Sequence, residues 1–193
     1  MGIKSKLKHT ISFLLHGEVK PIYANIHYLA PNEHLKGKKI VITGGGRGLG
    51  FAMAKKFVSE GAKVLIAGRN EQTLKQSASE INCLFLPLDV QDTTSFKEFI
   101  DKADQMLGGI NCLVNNAGIS LHEEGFLAVS PQQFDSQVGT NLRGCFFLTQ
   151  AFIEKCTETH LEGTKNILFT SSETSMTVDE RPYGLTKAAL NSL

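Results

Sequence analysis

The chain has no tryptophan, few tyrosines, and no apolar run approaching the roughly 20 residues a membrane-spanning helix requires. No transmembrane segment is expected. It also lacks an excess of either charge: a net +1 gives no reason to expect a nucleic-acid-binding or membrane-binding surface. Cysteines are scarce. Cys83, Cys112, Cys145 and Cys156 show no paired metal spacing and fall in expected strands and helices, as reduced core residues of a cytoplasmic protein would. His9, His16, His27, His34, His122 and His160 form no close ligand pair either, so no metal site is expected. Internal repeats and low-complexity segments are missing too. What is there, 193 residues at 41% hydrophobic and 20% charged, suits one soluble globular domain with a sizeable core.

The organising stretch is Lys39 to Gly50, KIVITGGGRGLG. Ile40, Val41 and Ile42 form a continuous β-branched run, the pattern of a strand buried on both faces of a parallel sheet. The run breaks into glycines and then into a helical pattern. Gly44, Gly48 and Gly50 allow a sharp turn and a close backbone approach, and the following helix presents unpaired N–H groups and its positive dipole end. A pyrophosphate is the natural occupant. Leu49, Ala52, Met53 and Phe57 are expected on the buried face of that helix, with Lys55, Lys56, Ser59 and Glu60 elsewhere.

After this point short apolar runs alternate with amphipathic helices, which predicts a doubly wound parallel sheet of the Rossmann type with helices on both faces. Further strands are expected at Lys63 to Ala67, Cys83 to Leu88, Ile110 to Val114 and Ile167 to Thr170. Phe96, Phe99, Ile100, Ala103 and Leu107 form the apolar stripe of the third helix. Ser130 and Pro131 give the fourth a cap and a first-turn proline. That helix carries Phe134, Val138, Leu142, Cys145, Phe146 and Phe152 as its stripe, with Asn141 among them as a polar side chain in need of a partner. Residues 1–38 read as a separate N-terminal arm, and 39–193 as the dinucleotide-binding domain. In the arm, Ile3, Leu7, Ile11 and Leu14 fit either a short amphipathic helix or a strap on the surface, Lys6 stands where a myristoylation signal needs Ser or Thr, and Pro21 and Pro31 mark an extended stretch.

The glycine spacing is T-G-x-x-x-G-x-G from Thr43 to Gly50, not the common G-x-G-x-x-G. With a strand before it and a helix after it, the segment resembles the ordinary, non-extended branch of the short-chain dehydrogenase/reductase family. That resemblance implies cofactor contacts from Thr43, Gly44, Gly46, Arg47, Gly48, Leu49 and Gly50, and from Asp89 and Val90 beside the adenine. It implies the same for Asn116, Ala117 and Gly118 of the NNAG segment that begins at Asn115. Where the second strand ends, a carboxylate would accept from the adenosine ribose, whereas a basic group would pair with a 2′-phosphate. Gly68 and Arg69 stand there, with Arg47 on the same side, so NADP(H) is expected over NAD(H).

Tyr183 and Lys187 lie on one helical face, four residues apart in PYGLTKAAL. An ammonium beside a phenol favours the phenolate, and an activated phenol can pass a proton to or from a carbonyl oxygen. The family resemblance makes Tyr183 and Lys187 catalytic and cofactor-binding, adds Ser172 (with Ser171 as the alternative) as donor to the substrate oxygen, and gives Asn141 the placing of a water that links the lysine to solvent. The serine-to-tyrosine spacing is slightly shorter than the family's usual one. The implied reaction is hydride transfer between NADP(H) and a ketone or secondary alcohol, in a protein expected to form homo-oligomers at full length. His122, Glu123 and Glu124, in the loop Ile119 to Leu127, read as solvated.

The resemblance runs from residue 39 to Leu193 and ends inside the Tyr-Lys helix, before the family's sixth and seventh strands and its substrate lid. The 193-residue chain is therefore expected to be a fragment, inactive when isolated. A dinucleotide-binding protein without turnover and a partner-docking module are the alternatives.

Overall fold

The computed structural model describes residues 30, 32–158 and 163–193, so the expectations for the N-terminal arm up to residue 29 and for Pro31 lie outside the described residues. Five strands form one sheet: β1 (Lys39–Thr43), β2 (Lys63–Gly68), β3 (Leu84–Pro87), β4 (Cys112–Asn115) and β5 (Asn166–Phe169). Every pairing is parallel, in the order β3-β2-β1-β4-β5. The chain winds outward from β1 to β3, then restarts on the other side of β1. This reversal opens a crevice at the carboxyl ends of β1 and β4, the place where open α/β sheets bind ligands.

Alternation along the strands fills both faces. Val41, Leu65 and Leu113 point into one core with Phe96, Phe99 and Ile100 of α3 (Phe96–Leu107) and Leu148 and Phe152 of α5 (Cys145–Glu158). Ile40, Ile42, Val64, Ile66 and Val114 point into the other, against Ala54 of α1 (Gly48–Ser59) and Leu74 and Ala78 of α2 (Glu71–Ile81). The unbroken apolar strands follow from having helices on both sides. At its end α3 stops on Gly108, whose φ of +74° provides a left-handed cap that a side chain would strain.

Two sequence expectations change on the helices. The inner face of α1 is Gly50 and Ala54, with Phe51, Met53, Phe57 and Val58 partly buried against the sheet. Leu49, by contrast, is 59% exposed, and Ala52 is exposed as well. The tight contact between the helix start and the glycine loop rotates α1 onto its small residues. The second change concerns the long fourth helix. Ser130 caps α4 (Pro131–Val138), as its sequence predicts, and Gln133 completes a reciprocal box, but the helix then widens into a π-helical segment, Gly139–Gly144, before α5 begins. The inserted turn shifts the register. Phe134, ahead of this segment, and Phe146, after it, are exposed, while Gln137, Thr140, Asn141, Gly144, Cys145, Leu148 and Phe152 face inward.

A cofactor crevice beside a buried lysine

Thr43, the last residue of β1, is almost fully buried and ties the crevice together. Its hydroxyl accepts from the backbone N–H groups of Asn116 and Ala117, both at 3.0 Å, and faces the Val114 carbonyl. Asn116 answers with its side-chain amide, which donates to the carbonyls of Thr43 and Gly44. Thr170, just beyond β5, donates to Asn116 Oδ1. The ends of β1, β4 and β5 are thus bonded into one unit.

Above this unit runs the glycine loop. Gly44 has φ +66°, and a Cβ there would lie 3.0 Å from the Ala117 Cα. A Cβ on Gly50 would come within 2.2 Å of the Gly44 carbonyl oxygen, so helix α1 can start this close only without a side chain at that position. At the α1 start, Arg47 makes no side-chain cap and the first turn holds no acid. Its free N–H groups therefore keep their positive end open to an anion. A cavity of about 510 Å³ lies in front of them.

Thr43, Gly44, Gly46, Arg47, Gly48, Leu49, Gly50, Arg69, Asp89, Val90, Asn116, Ala117 and Gly118 all line this cavity. Tyr183 and Lys187 do not. Residues that the sequence reading did not single out also line it, among them Asn70, Thr73, Ile119 and Thr140. Asn70 caps α2 through Thr73, and Thr140 accepts from the Gln91 side chain at 2.7 Å. A phosphate-bearing dinucleotide fits what is present: a cradle of glycines, an uncapped helix start, and two guanidinium groups without a carboxylate at the end of β2.

Helix α6 (Pro182–Leu190) brings Tyr183 and Lys187 onto one face, with the Lys187 Nζ 5.6 Å from the centre of the Tyr183 ring. Lys187 is only 4% exposed. Its ammonium donates to the Thr170 carbonyl at 2.7 Å, and burial pulls its pKa below the ordinary lysine value, because the charged form loses water. Asn141, fully buried in the π-helical segment, accepts from the Ile119 N–H and donates to the Ile119 carbonyl and the Thr186 hydroxyl. A Cβ on Gly118 would meet Asn141 Oδ1 at 3.3 Å and Lys187 Nζ at 3.5 Å, which brings the asparagine and the lysine to the same glycine. The hydroxyls of Ser171 and Ser172 are engaged elsewhere. Ser172 Oγ accepts from the Thr174 N–H and hydroxyl at the start of a short turn, Glu173–Met176, and Ser171 Oγ donates to Asn191 Oδ1.

The loop after β4 departs from its sequence reading. Glu124 is exposed, but Glu123 is only 8% exposed, because its carboxylate accepts from the side-chain amide of the fully buried Gln137. A buried glutamine in α4 drew the acid inward, and nothing near Glu123 in the sequence announced that partner. Among the described residues no group of three His, Cys, Asp or Glu could hold a metal ion, and no helix is long and apolar enough to cross a membrane. The four cysteines are free thiols.

Comparison with known proteins agrees with this arrangement. Over 165 residues the chain is 37% identical to 2,5-dichloro-2,5-cyclohexadiene-1,4-diol dehydrogenase LinX of Sphingobium indicum, covering 82% of this chain and 64% of that one. It thus spans a little under two thirds of that relative's length. Over 127 residues it is 33% identical to the NADP-dependent (R)-specific alcohol dehydrogenase of Lentilactobacillus kefiri, covering 64% of this chain and 50% of that one. Among solved structures, a short chain dehydrogenase from Burkholderia cenocepacia in complex with NADP superposes with a TM-score of 0.73 at 27% identity, over 82% of this chain and 66% of that one. Residues 38–193 match the short chain dehydrogenase family, and with the parallel sheet, the glycine loop and the NNAG segment in place, the chain belongs to that family.

Proposed function

We propose that this chain supplies the cofactor site and the proton-transfer residues of an NADP(H)-dependent oxidoreductase that interconverts a ketone and a secondary alcohol. The observation that carries the reading is the buried ammonium of Lys187, set 5.6 Å from the Tyr183 ring centre and held by the carbonyl of Thr170 at the end of β5. A nicotinamide cofactor supplies or accepts the hydride. Tyr183 gives its phenolic proton to the substrate oxygen during reduction and takes it back during oxidation. Lys187, buried and positively charged, stands 5.6 Å from the Tyr183 ring centre, where its charge opposes the negative charge that develops on the phenol oxygen as the proton leaves. Ser172 offers a hydroxyl to the same substrate oxygen after its turn gives up the contact with Thr174. Asn141 fixes the Ile119 backbone and Thr186 next to the lysine, and it holds the water through which Lys187 is reprotonated.

NADP(H) is proposed over NAD(H) because Arg47 and Arg69 both line the cavity and no carboxylate closes β2. The NADP-dependent relative and the NADP complex support this choice. The exposed Phe146, Phe147 and Ile153 of α5 give the protein an apolar face for a homo-oligomer.

The test follows NADPH oxidation with a panel of ketones by a protein that carries this chain and spans the relatives' full length, alongside Tyr183→Phe. Turnover by the wild type that falls about 10²- to 10⁴-fold in the variant, with NADPH affinity kept, supports the assignment. Tight NADPH binding without turnover on any ketone would point instead to a dinucleotide-binding protein. For the cofactor choice, Arg69→Ala should weaken NADPH about ten- to a hundred-fold and leave NADH nearly unchanged, the range expected for one charge-assisted contact.

A further inference from the structure

A second cavity, about 460 Å³, lies between the loop after β4 and the loop that leads into α6, bounded by Glu123 and Glu124 on one side and Asp179, Glu180 and Arg181 on the other. The second of these loops runs directly into Pro182 and Tyr183, and the first carries Glu123 only a few residues after Ile119, which Asn141 clamps. The cavity therefore adjoins the proposed catalytic helix. Four carboxylates face one guanidinium, and Arg181 donates to Asp179 Oδ1 through its Nε and its backbone N–H. A Cβ on Gly125 would lie 3.3 Å from Glu180 Oε1, so the Glu180 carboxylate reaches across to the opposite wall.

Glu123 provides the independent observation. One of its oxygens accepts from Gln137 Nε2, but Oε2 is buried without a hydrogen-bond partner among the described residues, and so is Oε1 of Gln137, the residue behind it. Two adjacent buried acceptors lacking a donor are costly to keep. Both need N–H or O–H groups. The surrounding excess of negative charge selects a cation over a neutral donor and rejects an anion.

Resting on the oxidoreductase reading, we propose that this cavity is a substrate subsite for a protonated amine, and that Glu123, backed by Gln137 and assisted by Glu180, binds the ammonium of an amino ketone or amino alcohol. Glu123 is then a specificity-determining residue outside the proton-transfer set.

The probes are phenethylammonium, 2-phenylethanol and phenylacetate, which differ in the charge of one group, titrated calorimetrically into the full chain at saturating NADPH and low salt. Phenethylammonium should bind about ten-fold or more tighter than 2-phenylethanol, and phenylacetate weakest, the scale of one charge-assisted hydrogen bond. Glu123→Gln should reduce the preference to about two-fold. Glu180→Gln, a change at an exposed residue, should lower it part-way without risk to folding, and added salt should weaken phenethylammonium alone. Equal or tighter binding of the alcohol by the wild type, or a preference left intact in both variants, overturns the proposal. Because these readouts need no turnover, failure of the two readings can be told apart. Neutral ketones reduced with no ammonium preference sink the subsite only, whereas an ammonium preference with no ketone reduced by a protein that spans the relatives' full length sinks the reaction and leaves a cation site.

Discussion

Asn141 holds Ile119 by both ends of its side-chain amide, Nδ2 donating to the Ile119 carbonyl and Oδ1 accepting from the Ile119 N–H, each at 2.8 Å. This pair of bonds fixes the NNAG segment to the π-helical turn. Asn141→Ala leaves two half-buried backbone groups beside the cavity without their partners, and the expected loss is about 1–3 kcal/mol of unfolding free energy. Urea denaturation measures it. A loss below about 0.5 kcal/mol would mean that water replaces the amide without penalty and that the clamp is incidental.

Thr43 makes a similar prediction with an internal control. Its hydroxyl serves the N–H groups of both Asn116 and Ala117, so Thr43→Val keeps the shape and removes the acceptor from two donors. Destabilisation of about 1–3 kcal/mol is expected, while Thr43→Ser should keep most of the stability, losing only the methyl. If serine were as damaging as valine, packing of the methyl would be the cause.

How much of this was legible in the sequence follows the range of the forces involved. The strands, the glycine loop and the Ser130 cap depend on neighbours close in sequence, and the period of the apolar residues located all five strands within a residue or two of their bounds. Leu49 and Glu123 misled because their surroundings are set at long range. Gly50 has to press against the Gly44 carbonyl, which rotates Leu49 outward, and Gln137, remote in sequence, pulls Glu123 inward. The π-helical segment is the clearest case. Gly144 packs so closely on Val90 that a Cβ would stand 2.2 Å from its carbonyl oxygen, and Thr140 and Asn141 both need buried partners. A regular α-helix through Phe134, Val138 and Phe146 would satisfy the hydrophobic pattern but not those contacts.

Gly50 is a test of that close approach. Gly50→Ala places a methyl within 2.2 Å of the Gly44 oxygen and 2.5 Å of the Asn116 amide nitrogen, contacts that real side chains do not make. Either α1 or the loop must move. The usual helix-stabilising effect of alanine over glycine, about 1 kcal/mol, is expected to reverse into a net loss of about 1–3 kcal/mol. Because the loop lines the cavity, NADPH affinity should fall with it. An alanine variant as stable as the wild type, with unchanged affinity, would show that the loop has slack that the fold does not suggest.

Lys187 gives a pH-dependent prediction with a definite sign. Its folded-state pKa lies below the ordinary value of 10.5 because burial disfavours the ammonium. Between the lowered pKa and 10.5 the unfolded chain therefore binds more protons than the folded one, and stability attributable to this residue rises with pH. Below that window the cost of burying the charge is fully present; above it the cost is gone. Lys187→Met removes the group that titrates, so the stability of the wild type relative to the variant should climb as pH rises through that window toward 10.5, by at most about 1.4 kcal/mol per pH unit. Taking the difference between the two proteins cancels the titration of residues they share. A flat difference would show that the Thr170 carbonyl already compensates the ammonium, and the lysine would then reach the tyrosine as a fully stabilised cation rather than a strained one.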